Sequence, residues 1–137
     1  MTAIDIVLPR LQTEEGFRAQ AYRDTMGHPT IGYGFNVDAG ISKGAATALL
    51  AAQVGELSDA LAAYPWYAAL DPVRQSVCLD VAFNSGLTGL LHYPHMIAAL
   101  AAHDYVTAAK ECAVADPRLD ASRYAPLRKL LETGVAP

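Results

Sequence analysis

Two carboxylates nine positions apart, Glu15 and Asp24, share with Thr30 the stretch EEGFRAQAYRDTMGHPTIGYGF, in which glycines at 16, 27, 32 and 34 punctuate a helix end and a following hairpin. A carboxyl pair held on rigid backbone suits hydrolysis of an acetal, because one acid must protonate the leaving oxygen while a second carboxylate activates or positions water. Glu15 fits the acid and Asp24 the water-handling group. The Thr30 hydroxyl can both donate to and accept from a trapped water. Each residue also has a plainer reading: Glu15 as a solvated acid beside Glu14, Asp24 as a turn residue that bonds its own backbone, Thr30 as an ordinary strand former.

The elements that must position these groups follow from the patterning. Ile4, Ile6, Val7 and Leu11 form an apolar stripe that predicts a first helix ending near Glu15, with Gly16 as terminator. From Phe17 to Phe35 the pattern changes to short alternating runs, and Asp24-Thr25-Met26-Gly27 has the Asp-first, Gly-last preference of a type I turn. Asp24 and Thr30 then flank one bend. Gly32 and Gly34 leave a strand face bare, often the mark of a place where another backbone or a ligand, such as a sugar chain, comes close. Ser42 caps a long helix running to about Ala63, closed by Tyr64-Pro65 and linking the hairpin lobe to the rest. Asp71-Pro72 opens a helix from Val73 to Ser85, with Val77, Val81 and Asn84 near one face, that Gly86 stops. Asp80, one turn before Asn84, either orders that face or is a surface acid. Three shorter helices are expected at 94–102, 105–115 and 121–132, without a linker or internal repeat. The fold class predicted is α+β, mainly α. Residues 1–137 form one domain, with a small hairpin lobe at about 16–40 and a helical lobe in the remainder.

Glu15-Gly16, Tyr22-Arg23-Asp24-Thr25, Gly27 and Thr30-Ile31-Gly32-Tyr33-Gly34 together resemble the catalytic signature of the phage-type lysozymes, the T-even phage lysozyme family also called glycoside hydrolase family 24. Ala82-Phe83-Asn84-Ser85-Gly86 is similar to that family's Phe-Asn-x-Gly segment, and Leu131-Glu132-Thr133-Gly134 to its Thr-Gly ending. The likeness spans nearly the whole chain, strongest in the hairpin and weakest after Cys112. It implies a lysozyme-like two-lobed fold with the lobes joined by a long helix. It also implies an endo-acting muramidase that cleaves the β-1,4 bond between N-acetylmuramic acid and N-acetylglucosamine, with inversion and without a cofactor. Glu15 is then the general acid, and Asp24 and Thr30 hold and activate the attacking water. Gly32 lies along the substrate path, and Asn84 either bonds substrate N-acetyl groups or caps its helix. Arg123 stands where the family has an arginine that pairs with the catalytic glutamate. Two departures stand out: Asp116 occupies the place of the aromatic residue of a Ser-x-Trp pair, and Phe35 replaces the histidine of T-even members, so one ion pair of that branch cannot form.

Composition narrows the partners. The net charge is −4 and the ten Lys and Arg are scattered, which lacks the basic footprint of a nucleic-acid binder. Peptidoglycan is itself anionic, so recognition must be local rather than steered. No apolar run approaches the roughly 18 residues of a membrane span, and no signal-peptide pattern opens the chain. The expectation is a monomer made in the bacterial host cytoplasm, acting on the cell wall after release or as part of a phage particle or larger protein. Cys78 and Cys112 lie in apolar helical patterns and read as buried free thiols made in a reducing compartment. His28 reads as a turn residue, and His92, His95 and His103 lack metal-site spacing, so no metal is expected. Two other readings stay open: a lysozyme-like module that binds peptidoglycan without turnover, which the intact Glu15, Asp24 and Thr30 argue against, and a chitin or chitosan hydrolase with the same two-carboxylate chemistry.

Overall fold

A computed structural model describes residues 1–112 and 121–137. Thr2 opens helix α1 (Ala3–Glu15) through a reciprocal cap: its hydroxyl accepts from the Asp5 N–H at 3.2 Å while the Asp5 carboxylate accepts from the Thr2 N–H at 2.7 Å. Gly16, at φ +67°, donates its N–H to the Gln12 carbonyl at 3.1 Å and ends the helix, leaving Glu15 as its last residue. Three antiparallel strands follow, β1 (Arg18–Arg23), β2 (Pro29–Gly32) and β3 (Phe35–Asn36), in the order β1-β2-β3. Tyr22 faces Thr30 and Arg23 faces Pro29, a register irregularity lies between Arg18 and Tyr22, and Thr30 faces Asn36 on the other side. A 3-10 turn at Val37–Ala39 precedes helix α2 (Lys43–Ala62), whose start is capped by Ser42 Oγ accepting from the Ala45 N–H at 3.1 Å.

The chain divides into two compact units, Met1–Ala48 and Leu49–Pro137. In the first, Thr30 is the only buried residue. Of the apolar stripe expected on α1, Ile4, Ile6 and Leu11 keep a large share of their surface, as does Leu8 beside them, and Val7 is half-buried.

The second unit holds the core. It comprises α3 (Pro65–Ala68), α4 (Pro72–Leu91), α5 (Pro94–Ala101), α6 (Tyr105–Glu111) and α7 (Ala121–Thr133), together with α2 from Leu49 onward. Leu61, Val77, Val81, Leu90, Met96, Leu100 and Leu131 are fully buried, with α5 against α6, and α7 against both α6 and α4. The one-turn α3 was not anticipated. Gly86 breaks the helical backbone as expected, at φ 76° and ψ 164°, but helical turns resume beyond it to Leu91. Of the helix expected at 105–115, the last positions lie outside the described residues, as does Asp116. The class is α+β, mainly α, as the sequence indicates. Cys78 and Cys112 are free and buried in the core, and burial pushes their thiols up to about 12 and about 11.

One guanidinium ties the two ends of this unit together. Asp71 caps α4 by accepting from the Val73 and Arg74 N–H groups, and its second oxygen pairs with Arg74 Nη1 at 2.7 Å. Arg74 also donates from Nε to the Leu131 carbonyl at 2.7 Å and from Nη2 to the Glu132 carbonyl at 3.0 Å, and lies 3.4 Å above the Tyr105 ring centre. These carbonyls belong to the last turn of α7, whose own amides cannot reach them. Gly134 makes the approach possible: a Cβ there would meet Arg74 Nη1 at 2.5 Å, and its φ is +67°. The Thr-Gly ending noted in the sequence is therefore the seat of this clasp. Arg74→Ala is expected to cost about 3 kcal/mol, because several hydrogen bonds to a charged group are lost and Asp71 is left unpaired. Gly134→Ala is expected to cost roughly 1–2 kcal/mol for its left-handed backbone alone. Urea midpoints measure both, and a Gly134→Ala protein as stable as wild type would remove the clasp from the account.

Candidate active site

Glu14 and Glu15 are adjacent in sequence but differ in surroundings. Glu14 pairs with Arg10 across one helical turn at 3.8 Å on the surface. The carboxylate of Glu15 has no hydrogen bond or ion pair among the described residues, and it rests on the turn between β2 and β3. A Cβ built at Gly34 would lie 2.5 Å from Glu15 Oε2 and 3.2 Å from its Cδ. Only a residue without a side chain, and at ease at φ +76°, admits the carboxyl there. The bare face predicted at the glycines is thus real, with specific tenants. Glu15 takes the space at Gly34, and the Phe35 ring takes that at Gly32, 3.1 Å from where a Cβ would stand. Both glycines frame the turn that ends β2 rather than lying inside a strand.

Asp24 begins the other bend. Its carbonyl accepts from the Gly27 N–H at 3.0 Å, which closes the turn predicted from the sequence, and Gly27 takes φ +82°. Asp24 Oδ1 accepts two main-chain N–H bonds, from His28 at 2.8 Å and Met26 at 2.9 Å, while Oδ2 lies 3.5 Å from His28 Nδ1. The His28 N–H is the main influence holding this carboxyl below the ordinary aspartate value of 3.8; desolvation opposes it, and the Met26 N–H and the His28 ring add to it. Asp24 is therefore an anion at neutral pH. Thr30, 3% exposed, donates its hydroxyl to the His28 carbonyl at 2.9 Å, and the same carbonyl accepts the Asp24 N–H at 3.0 Å. With its proton committed, the Thr30 oxygen is left as an acceptor. Arg23 pins the bend from the side by donating to the Gly27 carbonyl at 2.8 Å.

His28 is the residue that sequence reasoning undervalued. It reads as a turn residue and does close the bend, and in addition its main chain joins Asp24 to Thr30 and its ring faces the Asp24 carboxylate. The signal was its position four residues after the turn aspartate, where an Asp side chain that reaches along the backbone finds its second donor.

Asn84 and Arg123, the other expected contacts, meet on Asp80 within the second unit. Asn84 Nδ2 donates to the Asp80 carbonyl at 2.8 Å and to its Oδ1 at 3.0 Å, and Arg123 Nη2 donates to the same Oδ1 at 2.8 Å. Among the described residues the ion-pair partner of Arg123 is Asp80. In the same unit an open cleft of about 400 Å³ is lined by Gln53, Glu56 and Leu57 of α2 and by Ala82, Phe83 and Gly86 of α4. Among the described residues no group of three or more His, Cys, Asp or Glu side chains is arranged to hold a metal ion, and no helix is long and apolar enough to cross a membrane.

A mainly helical α+β chain with a small antiparallel sheet defines the class as lysozyme-like. Residues 12–117 match the phage lysozyme family, and the chain belongs to that family. No curated protein matches it. Membership makes it a lysozyme-like hydrolase of peptidoglycan. The matched span contains Glu15, Asp24, Thr30, Gly32 and Asn84 and ends before Arg123.

Gly34→Ala is expected to cut turnover far more than stability, by about a hundredfold, since displacing a reacting group by roughly 1 Å has that effect. Parallel measurements of kcat and Tm check it, and unchanged kcat would show that the Glu15 carboxyl need not lie on this turn. For Asp24, carboxyl NMR is expected to give a midpoint below 3.8, and His28→Ala is expected to keep most of the shift because the main-chain N–H remains. The sign follows: a depressed native value means the turn's stabilisation is complete above the unfolded value and is lost as pH falls through the native one. A midpoint at or above 3.8 would show that the Asp24 bonds do not persist in solution.

Proposed function

We propose that this chain is an endo-acting muramidase, hydrolysing the β-1,4 bond between N-acetylmuramic acid and N-acetylglucosamine, and that residues 1–137 act as one domain and as a monomer. The observation that carries the reading is the pairing of two unlike carboxyl groups in one small unit. Glu15 lies against Gly34 without a hydrogen-bond or ion-pair partner among the described residues, while Asp24 is held as an anion by main-chain bonds and shares the His28 backbone with Thr30. Glu15, protonated, gives its proton to the glycosidic oxygen as the bond to the anomeric carbon breaks. A water held by Asp24 and the acceptor oxygen of Thr30 attacks that carbon from the opposite face and loses its proton to Asp24. Gly32 lies along the glycan path, and Asn84 and Arg123 contact substrate. This role for Asp24 needs room for a water, so its carboxyl and that of Glu15 are expected to stand about 6.5–9.5 Å apart during catalysis.

Mass spectrometry of peptidoglycan digested by wild type and by Glu15→Gln tests the reading. Reducing muramic ends are expected from wild type, with turnover at least roughly a hundredfold lower in Glu15→Gln, the scale of general acid catalysis. Early proton NMR of a cleaved oligosaccharide is expected to show the α anomer first. Anhydro ends would make the chain a lytic transglycosylase, cleavage of chitin oligomers alone would make it a chitin hydrolase, and initial β product would make Asp24 a nucleophile.

A further inference from the structure

Asn84 has a polarity that its residue type alone does not fix. A side-chain amide offers two N–H donors and one acceptor oxygen, and which end faces a ligand depends on what the protein consumes. Both hydrogen bonds of the Asn84 side chain among the described residues are made by Nδ2, to the carbonyl and to Oδ1 of Asp80. A carbonyl and a carboxylate can only accept, so turning the amide over would set oxygen against oxygen twice. Asn84 is therefore oriented by chemistry, with its donors spent and Oδ1 without a partner among the described residues. It is exposed, and it stands two residues before the break in α4 at Gly86.

Asp80 is itself anchored. Arg123, 43 residues further along, donates to the oxygen that receives Asn84, so the carboxylate is neutralised and aimed at once. One oxygen thus fixes two of the side chains expected to touch substrate.

We propose that Asp80 is a positioning residue that locks Asn84 as a hydrogen-bond acceptor, so that Asn84 receives the N–H of a substrate N-acetamido group rather than binding its carbonyl. This rests on the muramidase reading. It makes Asp80 a determinant of KM rather than of the chemical step.

The test uses the Glu15→Gln protein, labelled with 15N and 13C, and a soluble glycan fragment of peptidoglycan as probe. On saturation the Asn84 side-chain carbonyl carbon is expected to shift while its NH₂ signals stay in place, because those protons remain on Asp80. Movement of the NH₂ signals would show that the amide donates to the glycan and would overturn the proposal, as would a bound state, or a failure to bind, that leaves every Asn84 signal unmoved. In the otherwise wild-type enzyme, Asp80→Ala is expected to raise KM about tenfold with kcat within about twofold, and Asp80→Asn, which keeps an acceptor oxygen, to recover most of the loss. An equal fall in kcat for both variants would assign Asp80 to the chemistry or the fold instead. Failure of the muramidase reading is separately visible, since wild-type digests would then lack reducing muramic ends whatever the Asp80 variants do.

Discussion

The chemistry proposed for this chain hangs on the main chain of one residue, His28, whose N–H goes to the Asp24 carboxylate and whose carbonyl receives both the Asp24 N–H and the Thr30 hydroxyl. A loop aspartate is ordinarily mobile and solvated. Here two backbone donors, closed within a five-residue bend, fix its rotamer, and the His28 ring adds to their hold on its charge. The arrangement also decides the role of Thr30, because a hydroxyl that has given its proton to a carbonyl can only accept. Side-chain substitutions at His28 leave these main-chain bonds in place, so the bend tolerates changes that a side-chain network would not.

The two units divide their labour unevenly. Residues 1–48 carry Glu15, Asp24 and Thr30 yet bury a single residue, and their order comes from caps, turns and short ladders. Residues 49–137 carry the apolar core and the Asp80 cluster. Hydrogen-bonded turns fix angles over a few residues, whereas buried side chains fix the distances between helices. The groups proposed to react accordingly sit where local geometry can be sharp, and those proposed to read the glycan where helices hold partners far apart in sequence.

That distinction also explains what the sequence reveals. The end of α1 at Gly16, the Asp24–Gly27 turn, the Ser42 and Asp71 caps and the break at Gly86 were all legible, because each is a bond or a dihedral preference spanning at most four residues. The tenant of Gly34 was not. The glycine announced a close approach, but only the folded hairpin shows that Glu15 makes it. Arg74 reaching carbonyls 57 and 58 residues away, and Arg123 reaching Asp80, depend on helix packing that no local pattern encodes. Among the described residues the carboxylate that Arg123 meets is Asp80, which gives that acid the ordering role that its place one turn before Asn84 allows. The stripe on α1 shows the opposite failing, since periodicity reports an apolar face and not what covers it.

The clasp at Arg74 gives the helical unit a one-sided response to its medium. A guanidinium does not lose its proton in any environment a protein survives, so its bonds to the α7 carbonyls have no alkaline breaking point. Its partner does titrate. Burial pushes the Asp71 carboxyl up, but the side-chain and backbone bonds to Arg74 and the charge of that arginine outweigh this and hold it below the ordinary 3.8. The pair is therefore complete above that ordinary value and weakens only as acid drives the pH through the lower native one. Alkali finds nothing to unlatch at this end of the helical unit, and acid must first overcome an aspartate that has been made unusually reluctant to take a proton.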